Sequence, residues 1–157
     1  MQVNITTLEN NLRVLTVERP QTETVSLGIW VNTGSAYETP EINGISHFIE
    51  HMVFKGTQKR NALQITEDIE NVGGNTNAYT SREMTLFYAK MLKNDAERAM
   101  DVLADFVMAP TFADEEMNKE KEVVVQEIKQ TNDDPSDIVF DYFIQDKYAS
   151  FETEKYE

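Results

Sequence analysis

The sequence predicts an α+β domain in which a largely antiparallel sheet packs against helices. Three observations carry this. The order is strands, then helices, then a hairpin, then helices again, which is not the strict alternation of a doubly wound parallel sheet. The links between successive strands are short, and short links favour antiparallel pairing. The clearest strand, "TVSLGIWVNTGS" at residues 24–35, alternates and ends in turn residues, so Val25, Leu27, Ile29 and Val31 share one face.

In chain order, "VNITTLENNLRVLTVER" holds two β-rich runs with a turn at Asn10-Asn11. The strand at 24–35 follows. "SAYETPEINGI" is a loop punctuated by Pro40 and Gly44. Residues 45–54 predict a helix. Residues 61–72 predict another, with Leu63, Ile65 and Ile69 as apolar positions and Gly73-Gly74 as a stop. "NTNAYTSREMTLFYAKML", residues 75–92, reads as two strands with a turn near Ser81-Arg82-Glu83. Asn94 is expected to cap a helix running to about Met108, with Pro110 beyond its end. Thr111 or Asp114 opens the longest helix, to about Gln130. "NDDP" breaks it, and Ser136 or Asp137 starts a last helix to about Tyr148. There is no internal repeat, low-complexity tract or linker.

A chain of 157 residues with 40% hydrophobic and 27% charged residues can bury one real core. No apolar run reaches the ~18 residues of a membrane span. The first twenty residues lack the basic start and apolar stretch of a signal peptide, and they are not an Arg-rich, acid-poor presequence. With no cysteine there is no disulfide and no thiolate ligand, so a metal must be held by nitrogen and oxygen. The formal net charge of −14 disfavours nucleic acid and anionic membrane, which are bound mainly through Lys and Arg. It serves solubility, or it attracts basic ligands such as Arg-rich peptides; charge alone does not choose.

"GISHFIEHMVFKG" contains both histidines of the chain, His47 and His51, with Glu50 between them. On a helix, positions i, i+3 and i+4 fall on one face, so the three side chains project together. Two imidazoles one turn apart can take adjacent corners of a zinc tetrahedron. Glu50 crowds a metal held by its two helix neighbours, and so suits the role of base better than that of ligand. The plainer reading is a pair of surface histidines with Glu50 as their salt-bridge partner. A third ligand must be Asp or Glu, and "DEEMNKEKEVVVQEIKQ" offers several. Glu120 and Glu127 are two turns apart and share a face; Glu116 and Glu120 are one turn apart. Met117, Val124, Ile128 and Val125 mark its expected buried side. Glu127 lies among Val124, Val125 and Ile128 and is expected to point inward, where a buried carboxylate needs a partner. As exposed helix acids, Glu120 and Glu127 would need none.

"HFIEH" has the H-x-x-E-H form of the inverzincins. Together with "WVNTGSAYE", "GISHFIEHMVFKGT", "GGNTNAYTSREMTLFY" and "EKEVVVQEI", in that order, it resembles the pitrilysin-type M16 metallopeptidases. Within them it is most similar to the mitochondrial processing peptidase β-subunits and their bacterial relatives. The resemblance covers roughly residues 3–146. It implies that His47 and His51 bind a single zinc ion, that Glu127 is the third ligand, and that Glu50 is the general base. It implies that Glu120 is a supporting acid that orients a histidine or tunes the metal. It also implies that Asn77, Ala78 and Tyr79 border an edge strand on which an extended peptide is held by β-augmentation; the plainer reading is a strand after a Gly turn.

The resemblance reaches only the first domain of the first half of a clamshell of two homologous halves. The expected organisation is therefore one catalytic domain over residues 1–157, with residues 149–157 as a frayed tail. The implied function is zinc-dependent hydrolysis of extended, basic, presequence-like peptides. The alternative is a catalytically incomplete fragment, or a partner-dependent subunit, that binds zinc or peptide without cleaving alone. Implied partners are the peptide, a second half of the same type or another copy of the chain, with an unpaired sheet edge as one route to self-association. The implied compartment is the bacterial cytoplasm or, alternatively, the mitochondrial matrix.

Overall fold

A computed structural model describes residues 2–136, 138, 139, 142 and 143 of the chain. Two strands, β1 (Val3–Thr7) and β2 (Arg13–Val17), form an antiparallel hairpin. Its turn is closed by Asn11 in the left-handed region, at φ 66°, a conformation Asn tolerates. The hairpin is a separate two-stranded sheet. Three further strands, β3 (Thr24–Val31), β4 (Asn75–Thr80) and β5 (Thr85–Leu92), form an antiparallel sheet in the order β3-β5-β4. The α+β expectation and the antiparallel pairing both hold.

Register explains why one face of the main sheet is the core. Ile29 lies opposite Phe87, which lies opposite Ala78; Leu27 lies opposite Ala89; Val25 lies opposite Met91. Alternation sends these rows to the same side, where helices α1 (Ile45–Met52), α2 (Ala62–Glu70) and α3 (Ala96–Met108) cover the sheet. From α3, Ala99, Val102, Leu103 and Phe106 are fully buried at helical spacing. The Phe106 ring meets Phe54 at 4.9 Å and Phe87 at 5.9 Å between centroids. Val31 is the exception to the expected β3 face: it sits at the strand end and is exposed, as Leu63 is on α2.

Helix boundaries follow local chemistry. Asn61 caps α2 in a reciprocal box with Gln64, each side chain accepting from the other's backbone N–H at 2.9 Å. Asn94 does not cap α3. A 3-10 turn at Lys93–Asp95 carries the chain into the helix first, and Asn94 lies inside it. Helix α4 (Asp114–Asp133) starts after Ala113 rather than at Thr111, with three acids in its first turn, where the helix dipole favours them. Among its expected core positions, Met117 and Val124 are half-buried, but Val125 and Ile128 are exposed. α4 packs chiefly against α1. The last helix, expected to run to residue 148, lies largely outside the described residues, as does the tail expected at 149–157.

Candidate metal centre

The site is assembled on α1, whose entry is held by a distant carboxylate. Glu38 Oε2 accepts from Gly44 N–H at 2.6 Å and Oε1 accepts from Ser46 N–H at 2.8 Å. Gly44 occupies the N-cap at φ 89°, where a side chain would be strained. No residue of the helix itself caps it, so Glu38 does the work of an N-cap side chain from the preceding loop. Burial pushes the Glu38 carboxyl up. The Ser46 and Gly44 amides, the Ser46 hydroxyl and neighbouring His47 pull it down further, and the net direction is below its ordinary value.

One turn of this helix brings the two imidazoles together. Their Nε2 atoms lie 3.2 Å apart, with ring centroids at 4.6 Å and planes at 83°. Glu127 Oε2 of α4 lies 3.3 Å from His51 Nε2 and 3.8 Å from His47 Nε2. These separations test the fit to a metal. Two ligand atoms each ~2.0–2.1 Å from a zinc ion at a tetrahedral angle stand about 3.3 Å apart. Two edges of the triangle match and the third is half an ångström longer. His47, His51 and Glu127 fit the group. Glu127 does not point into an apolar interior as its neighbours suggest: Val125 and Ile128 face solvent, and the carboxylate is half exposed while reaching the histidines.

Glu120 is the buried acid of α4, 5% exposed. Its Oε1 accepts from His51 Nδ1 at 2.8 Å, and its Oε2 pairs with Lys55 Nζ at 2.5 Å. Burial raises its pKa; Lys55 and His51 lower it more, and the group is held below its ordinary value. An ionised carboxylate only accepts, so the Glu120 contact suits a proton on Nδ1, and Nε2 is the ring nitrogen that faces Glu127 and His47. Glu50, on the same helix face, has its Oε2 shut off from solvent with no hydrogen-bond partner among the described residues. A buried carboxylate oxygen left unpaired is costly, and a small polar ligand such as water would relieve that cost.

Asn77, Ala78 and Tyr79 lie in β4, an edge strand that packs beside α1. Thr80 of the same strand donates to Ser46 O at 3.5 Å. Ala78 is buried against the core, while Asn77 and Tyr79 face solvent. Asn77 Oδ1 accepts from Ala78 N–H at 2.8 Å, so the amide that an added strand would use is met by a side chain. Two residues next to the site escape a reading by motif: Lys55, at the i+4 position from His51, and Glu38, whose partners are backbone atoms. Only the spacing of Lys55 was a usable signal.

Residues 13–155 match the model of the insulinase family, peptidase family M16. The chain belongs to the M16 peptidase family. It is 47% identical over 144 residues to the uncharacterized zinc protease YmxG of Bacillus subtilis, covering 92% of this chain and 35% of that protein. It is 41% identical over 149 residues to the mitochondrial-processing peptidase subunit beta of Rattus norvegicus, covering 95% and 30%. A crystal structure of a protease from Helicobacter pylori shares the fold, with TM-score 0.84 and 24% identity over 88% of this chain and 34% of that one. The chain thus spans about a third of the length of the curated relatives it matches. Among the described residues, no helix is long and apolar enough to cross a membrane.

Proposed function

We propose that this M16 chain is the catalytic domain of a zinc endopeptidase, with one zinc held by His47, His51 and Glu127 and with Glu50 as the base. The observation that carries the proposal is the triangle of three ligand atoms, two of its edges at tetrahedral spacing, with both histidines on the helix of Glu50, whose buried Oε2 lacks a hydrogen-bond partner among the described residues. Bound there, zinc would supply Lewis acidity, polarising a carbonyl and bringing the pKa of water down to about 7. The chain's own groups do the rest. Glu50 takes a proton from the attacking water and returns it to the leaving amine. Glu120 holds the His51 ring in the tautomer that leaves Nε2 free.

An extended peptide adds to the edge of β4, with Asn77 releasing the Ala78 amide to it while Ala78 and Tyr79 border its path. Main-chain pairing of this kind tolerates many sequences, and a net charge of −14 favours basic ones. The names of the relatives, a zinc protease and a processing-peptidase subunit, support the same reading. The absence of a long apolar helix among the described residues is compatible with action in the cytoplasm or the mitochondrial matrix.

A partner-dependent version, in which the chain binds zinc and peptide but cleaves only beside a second M16-type half, is favoured by one feature. The apolar residues Val125 and Ile128 are uncovered next to Glu127, and exposed apolar patches mark association surfaces.

The test is zinc content together with cleavage of a quenched Arg-rich peptide, for the wild type and Glu50→Gln. The expected result is zinc in both and cleavage by the wild type alone. A wild type that takes up no zinc sinks the site assignment. Cleavage that appears only on adding a second M16-type chain selects the partner-dependent version.

A further inference from the structure

We propose that Lys55 is a positioning residue for the zinc ligand His51: by holding one oxygen of Glu120, it keeps the other oxygen aimed at His51 Nδ1 and so presents Nε2 to the metal. The inference rests on the metal reading above and extends it to a residue outside the H-x-x-E-H motif.

The pair is not an ordinary surface ion pair. The Glu120 side chain is 7% exposed, and among the described residues one of its oxygens pairs with Lys55 and the other with His51. A carboxylate held at one oxygen alone can turn about its last torsion, which is broad. A cation on the second oxygen closes that freedom and sets the direction in which Oε1 accepts. Lys55 lies four residues after His51, in the 3-10 turn that follows α1, and from there its ammonium reaches the same carboxylate that meets the His51 ring.

Lys55 is itself well anchored. It ends the 3-10 turn Val53–Lys55 and precedes Gly56. Gly56 O accepts from Thr111 N–H at 3.0 Å, and Gly56 and Thr57 bridge to Asn61 and Pro110. The backbone that carries the cation is therefore tied to the segment that leads into α4. The Lys55–Glu120 contact consequently bears on two ligands. It orients His51 directly, and it anchors α4 at Glu120, two turns before Glu127 on the same face.

The experiment compares the wild type with Lys55→Met, Lys55→Arg, Glu120→Gln and the double variant Lys55→Met/Glu120→Gln. Two quantities are read: zinc affinity by chelator competition, and the tautomer of His51 in zinc-free protein by 15N-correlated NMR. The wild type is expected to carry its proton on Nδ1. Lys55→Met is expected to mix the tautomers and to weaken zinc binding by about tenfold. Lys55→Arg, which keeps a donor cation at that oxygen, is expected to restore most of both.

In the Glu120→Gln background, Lys55→Met is expected to add nothing, because the route through the carboxylate is already gone. An unchanged tautomer and affinity in Lys55→Met overturns the proposal. So does a loss of equal size in both backgrounds, which would make Lys55 act without Glu120. A loss that Arg does not rescue and that follows a lowered melting temperature would make the role structural and would overturn it as well. The two readings fail separately. No zinc uptake by the wild type sinks the metal site, whereas uptake insensitive to Lys55→Met sinks only the role of Lys55.

Discussion

Asp105 is 7% exposed, and Thr57 and Arg60 hold its buried carboxylate. Thr57 Oγ1 donates to its Oδ2 at 2.7 Å and Arg60 Nη1 at 2.8 Å. Arg60 also pairs with Asp68 of α2 through Nε at 2.8 Å and with Asp101 of α3. One guanidinium thus ties the loop after the motif helix to two core helices, and that loop carries Lys55. Replacing it leaves a buried carboxylate without its cation. Arg60→Met is expected to lower folding stability by about 3 kcal/mol, read from denaturant midpoints at constant m. Adding Asp105→Asn should recover part of the loss, since the charge left unpaired is then gone; no recovery would mean that Arg60 acts through packing of its stem instead. None of this network was legible in the sequence. Arg60, Asp68, Asp101 and Asp105 look like ordinary surface charges, and only the approach of two helices brings them to one point.

Helix α1 is only eight residues long, so its propensity contributes little and its ends matter. Glu38 supplies the missing cap from the loop, and its carboxyl is held below the ordinary value of 4.5. A lowered folded-state pKa stabilises fully above the unfolded value and loses that stabilisation as pH falls through the folded one. Glu38→Gln is therefore expected to cost about 1 kcal/mol at neutral pH and to flatten the decline of stability below pH 4.5, measured as melting temperature against pH. An acid limb identical to that of the wild type would remove Glu38 from the account. At this scale the sequence was informative where a signal is local, as in the turn at Ser81-Arg82-Glu83. It misled at Asn94, Val125 and Ile128, where burial depends on which neighbours a helix meets.

The core is one-sided: β3, β5 and β4 back onto α1, α2 and α3, while β1 and β2 stand apart as a hairpin with every residue exposed. Isolated two-stranded hairpins are marginal in water, and local opening is cheapest where apolar contacts are few. Amide exchange is expected to be faster in residues 3–17 than in β5 by at least two orders of magnitude, the difference between local and near-global opening. Equal protection in the two regions would show that the hairpin is covered in solution, as an association through its apolar residues would produce.

Composition, strand alternation and the spacing of His47, Glu50 and His51 determined the fold class and half of the candidate metal site, because each depends on periodicity within one element. The motifs beyond that spacing pointed to the family and to Glu127 and Glu120. The tertiary structure decided which acid of α4 reaches which atom. Glu127 meets the Nε2 side of the histidines, and Glu120 takes His51 Nδ1 from within a buried pair with Lys55. That division has a physical cause. A helix period states which residues share a face, whereas the approach of α4 to α1 is set by side chains and loops far apart in sequence.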